Sequence, residues 1–308
     1  VSNEAPLRAV VSDAAAVLGT FPIVLGGPFG GESDAVSTAR LEAFRDAGGT
    51  VVETAFSYMG GQSIRALGSR FRAMPGVFDA VVKIGHRGRG ADMPLTAENI
   101  LADTDESRSV LDVDRIGIVL IHNDDPERDV EAIADALDQL VTSGRARAVG
   151  ISNWTAPRLA AGIAALTERG HLPLASYHRS LAVPDPTAFH GSTLPGDDAI
   201  FDVVADRAVP LLSWSANSGG YFAAADGTDD EPGDGPFDSP ASRARRARCR
   251  LLATTLGTDA ATIALAWTLG EPRTWASVGT GSVDRLRSTL TTPELALDAE
   301  QRRWLRDG

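Results

Sequence analysis

The run Asp114-Arg-Ile-Gly-Ile-Val-Leu-Ile121 is apolar from Ile116 onward and offers no polar side to water. A strand of this kind must be covered on both faces, which happens where helices pack above and below a parallel sheet. Similar short β-branched runs lie at 22–25, 50–54, 79–84, 115–121, 146–151, 173–176, 209–213 and 275–278. Amphipathic Ala-, Leu- and Arg-rich stretches separate them, near 35–47, 61–72, 97–111, 128–143, 155–168, 197–206, 240–256, 259–269 and 282–290. Punctuation agrees: Thr96 precedes a helix, and Gly144 and Gly170 each close one. Eight strands alternating with helices predict an α/β fold, a (β/α)8 TIM barrel, as a single domain over 1–308. The competing doubly wound sheet needs a glycine fingerprint in its first βα turn. Gly26-Gly-Pro-Phe-Gly-Gly31 lacks that spacing.

Composition narrows the function. The 308-residue chain has a formal net charge of −12, which repels phosphate backbones and anionic lipid. Nucleic-acid and membrane partners are therefore not expected, and no apolar run approaches the ~18 residues of a membrane span. A single cysteine, Cys249, excludes an intrachain disulfide and a cysteine metal cage. With no targeting signal visible, the expectation is a soluble cytoplasmic protein acting on a small molecule; the sequence is silent on oligomeric state. The segment 226–238 carries six carboxylates among glycines and prolines. It reads as an acidic loop rather than a calcium site, because its spacing fits no EF-hand. No metal is expected.

Lys83 is the only lysine among 29 basic residues. Surface charge explains the arginines but not the exception, since a partly buried lysine is a compact, tunable point charge. In a β/α barrel, polar residues at the carboxyl ends of strands face the active-site mouth. Those ends carry Glu53 with Tyr58, then Lys83, His122, Ser152-Asn153-Trp154 and Ser213-Trp214-Ser215. An acid, a phenol, an ammonium and an imidazole from successive strands form a proton-transfer site, with the ammonium expected to lower the Tyr58 pKa below ~10. Each residue singly has a plain structural explanation: packing for the tyrosine, an ion pair for Glu53 and Lys83, a turn start for His122. Phe29, Phe56 and Trp154 read equally as an apolar pocket or as rim packing.

The motifs resemble the aldo-keto reductase family. Glu53-Thr-Ala-Phe-Ser-Tyr58 is similar to its Asp-Thr-Ala…Tyr motif, and Gly60-Gly-Gln-Ser63 through Leu67-Gly68 to the continuation, with Ile64 for the usual Glu. Val81-Val-Lys83, Leu120-Ile-His122 and Gly144–Trp154 resemble the stretches that follow, in order from about residue 20 to 290. The resemblance implies a barrel that binds a reduced nicotinamide cofactor, NADP with NAD as the other candidate. It makes Tyr58 the general acid towards a carbonyl or imine, Lys83 its tuner, His122 the group that orients the carbonyl, and Glu53 the partner of Lys83. Ser152 and Asn153 would hold the carboxamide and Trp214, followed by Ser215, would stack on the ring. Gly279, Thr280 and Arg285 would lie along the rest of the cofactor.

Departures from the family pattern are informative. Its usual Asp is Glu53, its strand-six Gln is Ser176, and the basic residue expected to grip a 2′-phosphate is Gly281. The Glu-Asn pair around 288–289 is Ser288-Thr289. Losing one charge-assisted contact of about 1.5–3 kcal/mol implies weak discrimination between the two dinucleotides, below ~100-fold. A hydride-transferring reductase is the leading reading. A non-redox dehydratase or isomerase on the same scaffold is the alternative, and a silent binding subunit is disfavoured because Tyr58, Lys83 and His122 are all present.

Overall fold

The computed structural model describes residues 10–27, 29–31, 33–86, 93–185, 197–223 and 235–308. Eight parallel strands close into a barrel: β1 (Ile23–Leu25), β2 (Val51–Ala55), β3 (Asp79–Ile84), β4 (Ile116–Ile121), β5 (Ala146–Ser152), β6 (Leu174–His178), β7 (Leu211–Trp214) and β8 (Thr274–Val278). They pair in chain order, and β8 returns to pair with β1, so no edge is left open.

Alternation along each strand divides two hydrophobic layers. Val24, Val51, Val81, Ile118, Leu120, Ala148, Leu174 and Leu212 fill the barrel interior. Their neighbours Val52, Val82, Val119, Ile121 and Val149 face outward into the larger layer shared with the helices. The run Ile116–Ile121 is thus buried on both sides, as its composition requires. Period two also places the site: two residues on from Val51, Val81 and Leu120 come Glu53, Lys83 and His122.

The amino-terminal end of the barrel is stoppered by a short helix, Ala14–Leu18, whose Ala14, Val17 and Leu18 join the interior cluster. Before it, Ser12–Asp13 pairs with His171–Leu172 in a two-residue ladder. His171 is fully buried there, with Ser12 Oγ 2.9 Å from one ring nitrogen and Asp138 Oδ1 2.9 Å from the other. This chain of contacts pins the plug beneath the barrel, at the face where residues serve stability.

Two helices, Pro240–Leu256 and Ala260–Leu269, stand between β7 and β8. A further helix, Ala299–Asp307, packs Leu305 against Cys249 and Ala253. Sequence patterning misses it because its apolar face is so narrow. Arg245 and Arg248 complete it by donating to the carbonyls of Leu305 and Arg306 at its end. Most of the acidic 226–238 segment lies outside the described residues. Its last part is tethered: Phe237 is buried and stacked on His178, and Asp238 pairs with Arg243 and accepts from the Tyr221 hydroxyl.

Candidate active site

A cleft of about 410 Å³ opens at the carboxyl ends of the strands, with Glu53, Tyr58, Lys83, His122, Asn153 and Trp214 in its wall. Glu53 rises from the middle of β2 and Lys83 from β3, at 1% and 3% exposure. Tyr58 reaches back from the one-turn 3-10 helix Tyr58–Gly61 that follows β2. A single carboxylate oxygen joins the three groups. Glu53 Oε1 lies 2.7 Å from Lys83 Nζ and accepts a 2.7 Å hydrogen bond from the Tyr58 hydroxyl. Lys83 Nζ in turn donates to the Tyr58 oxygen at 3.1 Å.

Burial opposes charge on Glu53, but the Lys83 ammonium outweighs it and holds the carboxyl below its ordinary value, with help from Ser277 and Tyr58. Burial likewise opposes charge on Lys83, and the Glu53 carboxylate reverses that and raises its pKa. The pair is therefore ionised. Tyr58 departs from the sequence expectation: its pKa is raised, not lowered. Burial comes first among the causes, followed by the Glu53 carboxylate, and the ammonium only partly offsets them. Burial is the main reason, and the Glu53 carboxylate adds to it by offering the phenol an acceptor that keeps the proton on it.

His122 stands at the end of β4, edge-on to Tyr58 with ring centroids 6.1 Å apart. Desolvation, then Lys83 and His86, hold its imidazole well below the usual value, so it is neutral near pH 7. Its Nδ1 is 3.4 Å from the Ser57 hydroxyl. His86, two residues past β3, meets it edge to face at 5.1 Å. Sequence reasoning missed His86, although a second imidazole three residues beyond Lys83 was there to be read.

The remaining wall has the features of a cofactor cradle. Asn153 is held in the left-handed region, φ 61°, at the end of β5, and its Nδ2 donates to the His122 carbonyl. Its Oδ1 is buried without a partner, an acceptor suited to the amide N–H of a carboxamide. Trp214 presents an indole, with His178 tilted against its other side at 5.2 Å. Ser215, also left-handed at φ 51°, and Gly279 continue the wall. Gly26 is required for close approach: a Cβ there would fall 2.0 Å from Ser277 Oγ and 3.4 Å from Glu53 Oε2. The residues present therefore fit a nicotinamide head.

Beyond Asn217, whose Nδ2 donates to the Gly279 carbonyl at 3.2 Å, the cleft continues into a cavity of about 570 Å³ that takes in Thr280 and Arg285. Sequence reading did not single out Asn217, Ser277 or Gly219, which all line the first cleft. Of the expected cofactor residues, Ser152 and Ser176 line neither space. Ser152 spends its hydroxyl on the Ser176 carbonyl at 2.8 Å, and the Ser176 hydroxyl is buried with no partner. Both are fully buried and are paired in register across β5 and β6. Phe29, Phe56 and Trp154 are buried in the outer layer rather than lining a pocket.

Comparison with known proteins gives this geometry its relatives. The profile of the Aldo/keto reductase family matches residues 18–306. The chain is 26% identical to 6-dehydroglucose reductase of Agrobacterium fabrum over 274 residues, 85% of this chain and 84% of that one. It is 24% identical to an oxidoreductase of Escherichia coli, covering 86% and 84%. Among solved structures, a glycerol dehydrogenase from Gluconobacter oxydans superposes with TM-score 0.76 at 19% identity, covering 93% of this chain and 90% of that one. An aldo/keto reductase from Klebsiella pneumoniae, in complex with NADP and acetate, superposes with TM-score 0.68 at 19% identity over 92% and 89%. With the family profile matched over residues 18–306, this chain belongs to the aldo/keto reductase family and is an NAD(P)H-dependent oxidoreductase.

Proposed function

We propose that this enzyme reduces the carbonyl of a small polar substrate, with Tyr58 as the general acid and NADP(H) or NAD(H) as the redox partner. One observation carries the reading. The phenol is hydrogen-bonded to an ion pair that keeps it protonated, and it stands at the same mouth as a neutral imidazole and an orphaned amide acceptor. A bound nicotinamide supplies hydride to the carbonyl carbon. The chain's own residues handle the oxygen. Neutral His122 donates a hydrogen bond to it and fixes its direction. Tyr58 turns its proton from Glu53 to the same oxygen as negative charge develops, and Lys83 stays at the phenolic oxygen to stabilise the phenolate that results. Asn153 Oδ1 would accept from the carboxamide of a bound nicotinamide and help to hold it at the mouth.

Two relatives support a polar, hydroxylated substrate, the reductase of a dehydroglucose and the dehydrogenase of glycerol. The wall agrees with them, since Asn153, Asn217 and Ser277 are spread around the catalytic groups. No described helix is long and apolar enough to cross a membrane. We place the enzyme in the cytoplasm, where the cofactor pools lie and its lone thiol stays reduced. The test is nicotinamide consumption with a panel of short hydroxylated aldehydes and ketones beside apolar ones of equal size. Turnover of the polar set is expected. Binding of neither cofactor, or acid–base conversion of a hydroxy-carbonyl without cofactor consumption, would overturn the proposal.

A further inference from the structure

We infer that Asp259 makes the outer cavity of the cleft indifferent to a 2′-phosphate, so that NADH and NADPH bind with dissociation constants within about tenfold of each other. The inference rests on the reductase reading above and specifies its cofactor end. The outer cavity joins the catalytic cleft through Asn217, Gly219 and Gly279, so a dinucleotide with its nicotinamide at Asn153 extends its far end here. Ala260, Ala261 and Leu265 give one apolar wall, suited to a flat heteroaromatic base.

Charge decides what else fits. Among the described residues, Arg285 is the only cation lining this cavity and Asp259 the only carboxylate. Asp259 is fixed in place. Its Oδ1 accepts from the Thr262 amide at 2.8 Å, and its Oδ2 from the hydroxyls of Thr262 at 3.0 Å and Ser288 at 3.3 Å. These contacts tie the two helices that bound the cavity, Ala260–Leu269 and Val283–Leu290, to one carboxylate. A carboxylate repels a phosphate dianion, so it offsets the attraction of Arg285. Gly281 adds no charge, and a Cβ there would meet nothing within 4 Å. The position has room for a phosphate-binding side chain and holds none.

The test is fluorescence titration of the full chain with NADH and with NADPH, for the wild type and for Asp259→Asn and Gly281→Arg. Asp259→Asn keeps an oxygen for the Thr262 amide and removes the charge, and the Thr262 and Ser288 hydroxyls can rotate to accept from the new amide NH2. It should tighten NADPH about three- to fivefold and leave NADH nearly unchanged, as expected for one exposed charge. Gly281→Arg should tighten NADPH about ten- to a hundredfold, with NADH again unaffected. A wild-type preference above tenfold for either dinucleotide would overturn the inference. So would an Asp259→Asn effect equal on both. Failure to bind either cofactor would instead count against the reductase reading itself.

Discussion

Glu53→Asp isolates what the extra methylene does. The substitution draws the carboxylate back by about 1.5 Å, one carbon–carbon bond. Tyr58 and Lys83 both lie 2.7 Å from Glu53 Oε1. The flexible lysine can follow a retreating carboxylate, but the phenol is set by the turn at Tyr58–Gly61 and cannot. Its contact would open beyond about 4 Å, too long for a hydrogen bond, while Lys83 remains a donor. A charge-assisted hydrogen bond of about 1.5–3 kcal/mol corresponds to about one to two pKa units. The Tyr58 pKa should therefore fall by that amount. Ultraviolet difference titration can follow it, with Tyr58→Phe as reference. Tyr221 is also pushed up, to about 12, and burial raises Tyr177 as well, so the difference from Tyr58→Phe is what isolates the Tyr58 transition among the chain's three tyrosines. The alkaline limb of the reduction rate should move down with the phenol. A Tyr58 transition that stayed in place or rose in Glu53→Asp would refute the claim that Glu53 holds the proton.

Glu53→Gln should be far more damaging, costing about 3–5 kcal/mol because it leaves the Lys83 ammonium buried without a counter-charge; chemical denaturation measures this. Lys83, the only lysine and 3% exposed, should resist amine methylation in the native state, and Lys83→Arg should inactivate because a planar fork cannot occupy the ammonium's place. Burial holds His178 down at about 4, so below the unfolded value of 6.5 the unfolded chain binds a proton that the folded chain refuses. Stability should fall from about pH 6.5 to about pH 4, by about 3 kcal/mol for this residue; urea midpoints against pH check it, and His178→Phe should flatten the slope. Gly26→Ala would force the Ser277 hydroxyl away from Glu53, so it and Ser277→Ala should raise the acid limb of the rate profile together.

The barrel was legible because each strand carries its own signal. Ile116–Ile121 reads as buried on both faces, and the steps from Val51 to Glu53 and from Val81 to Lys83 put chemistry one layer above core. The ladder between Ser12–Asp13 and His171–Leu172 was not legible, since two residues have no period. At the site, residue identity travelled well and reach did not. Spacing placed Glu53, Lys83 and Tyr58 together but could not say how deeply the phenol is buried or whether the carboxylate meets it, and together these outweigh the ammonium. Ser152 and Ser176 are fully buried and paired in register on β5 and β6, a depth that motif order along the chain does not give. Asn217 and Ser277 lacked any motif, and only the closure of β7 and β8 around the cleft brings them in.

The central claim is that Tyr58 protonates a carbonyl as hydride arrives. A single-turnover experiment tests it most directly: deuterium at C4 of the reduced cofactor, a short hydroxylated aldehyde, and the wild type beside Tyr58→Phe. Deuterium should appear on the product carbinol carbon with the wild type. With Tyr58→Phe the rate should be lower by about 10²–10⁴ at unchanged cofactor affinity. Label transfer at the wild-type rate without the phenol would contradict the role given to Tyr58.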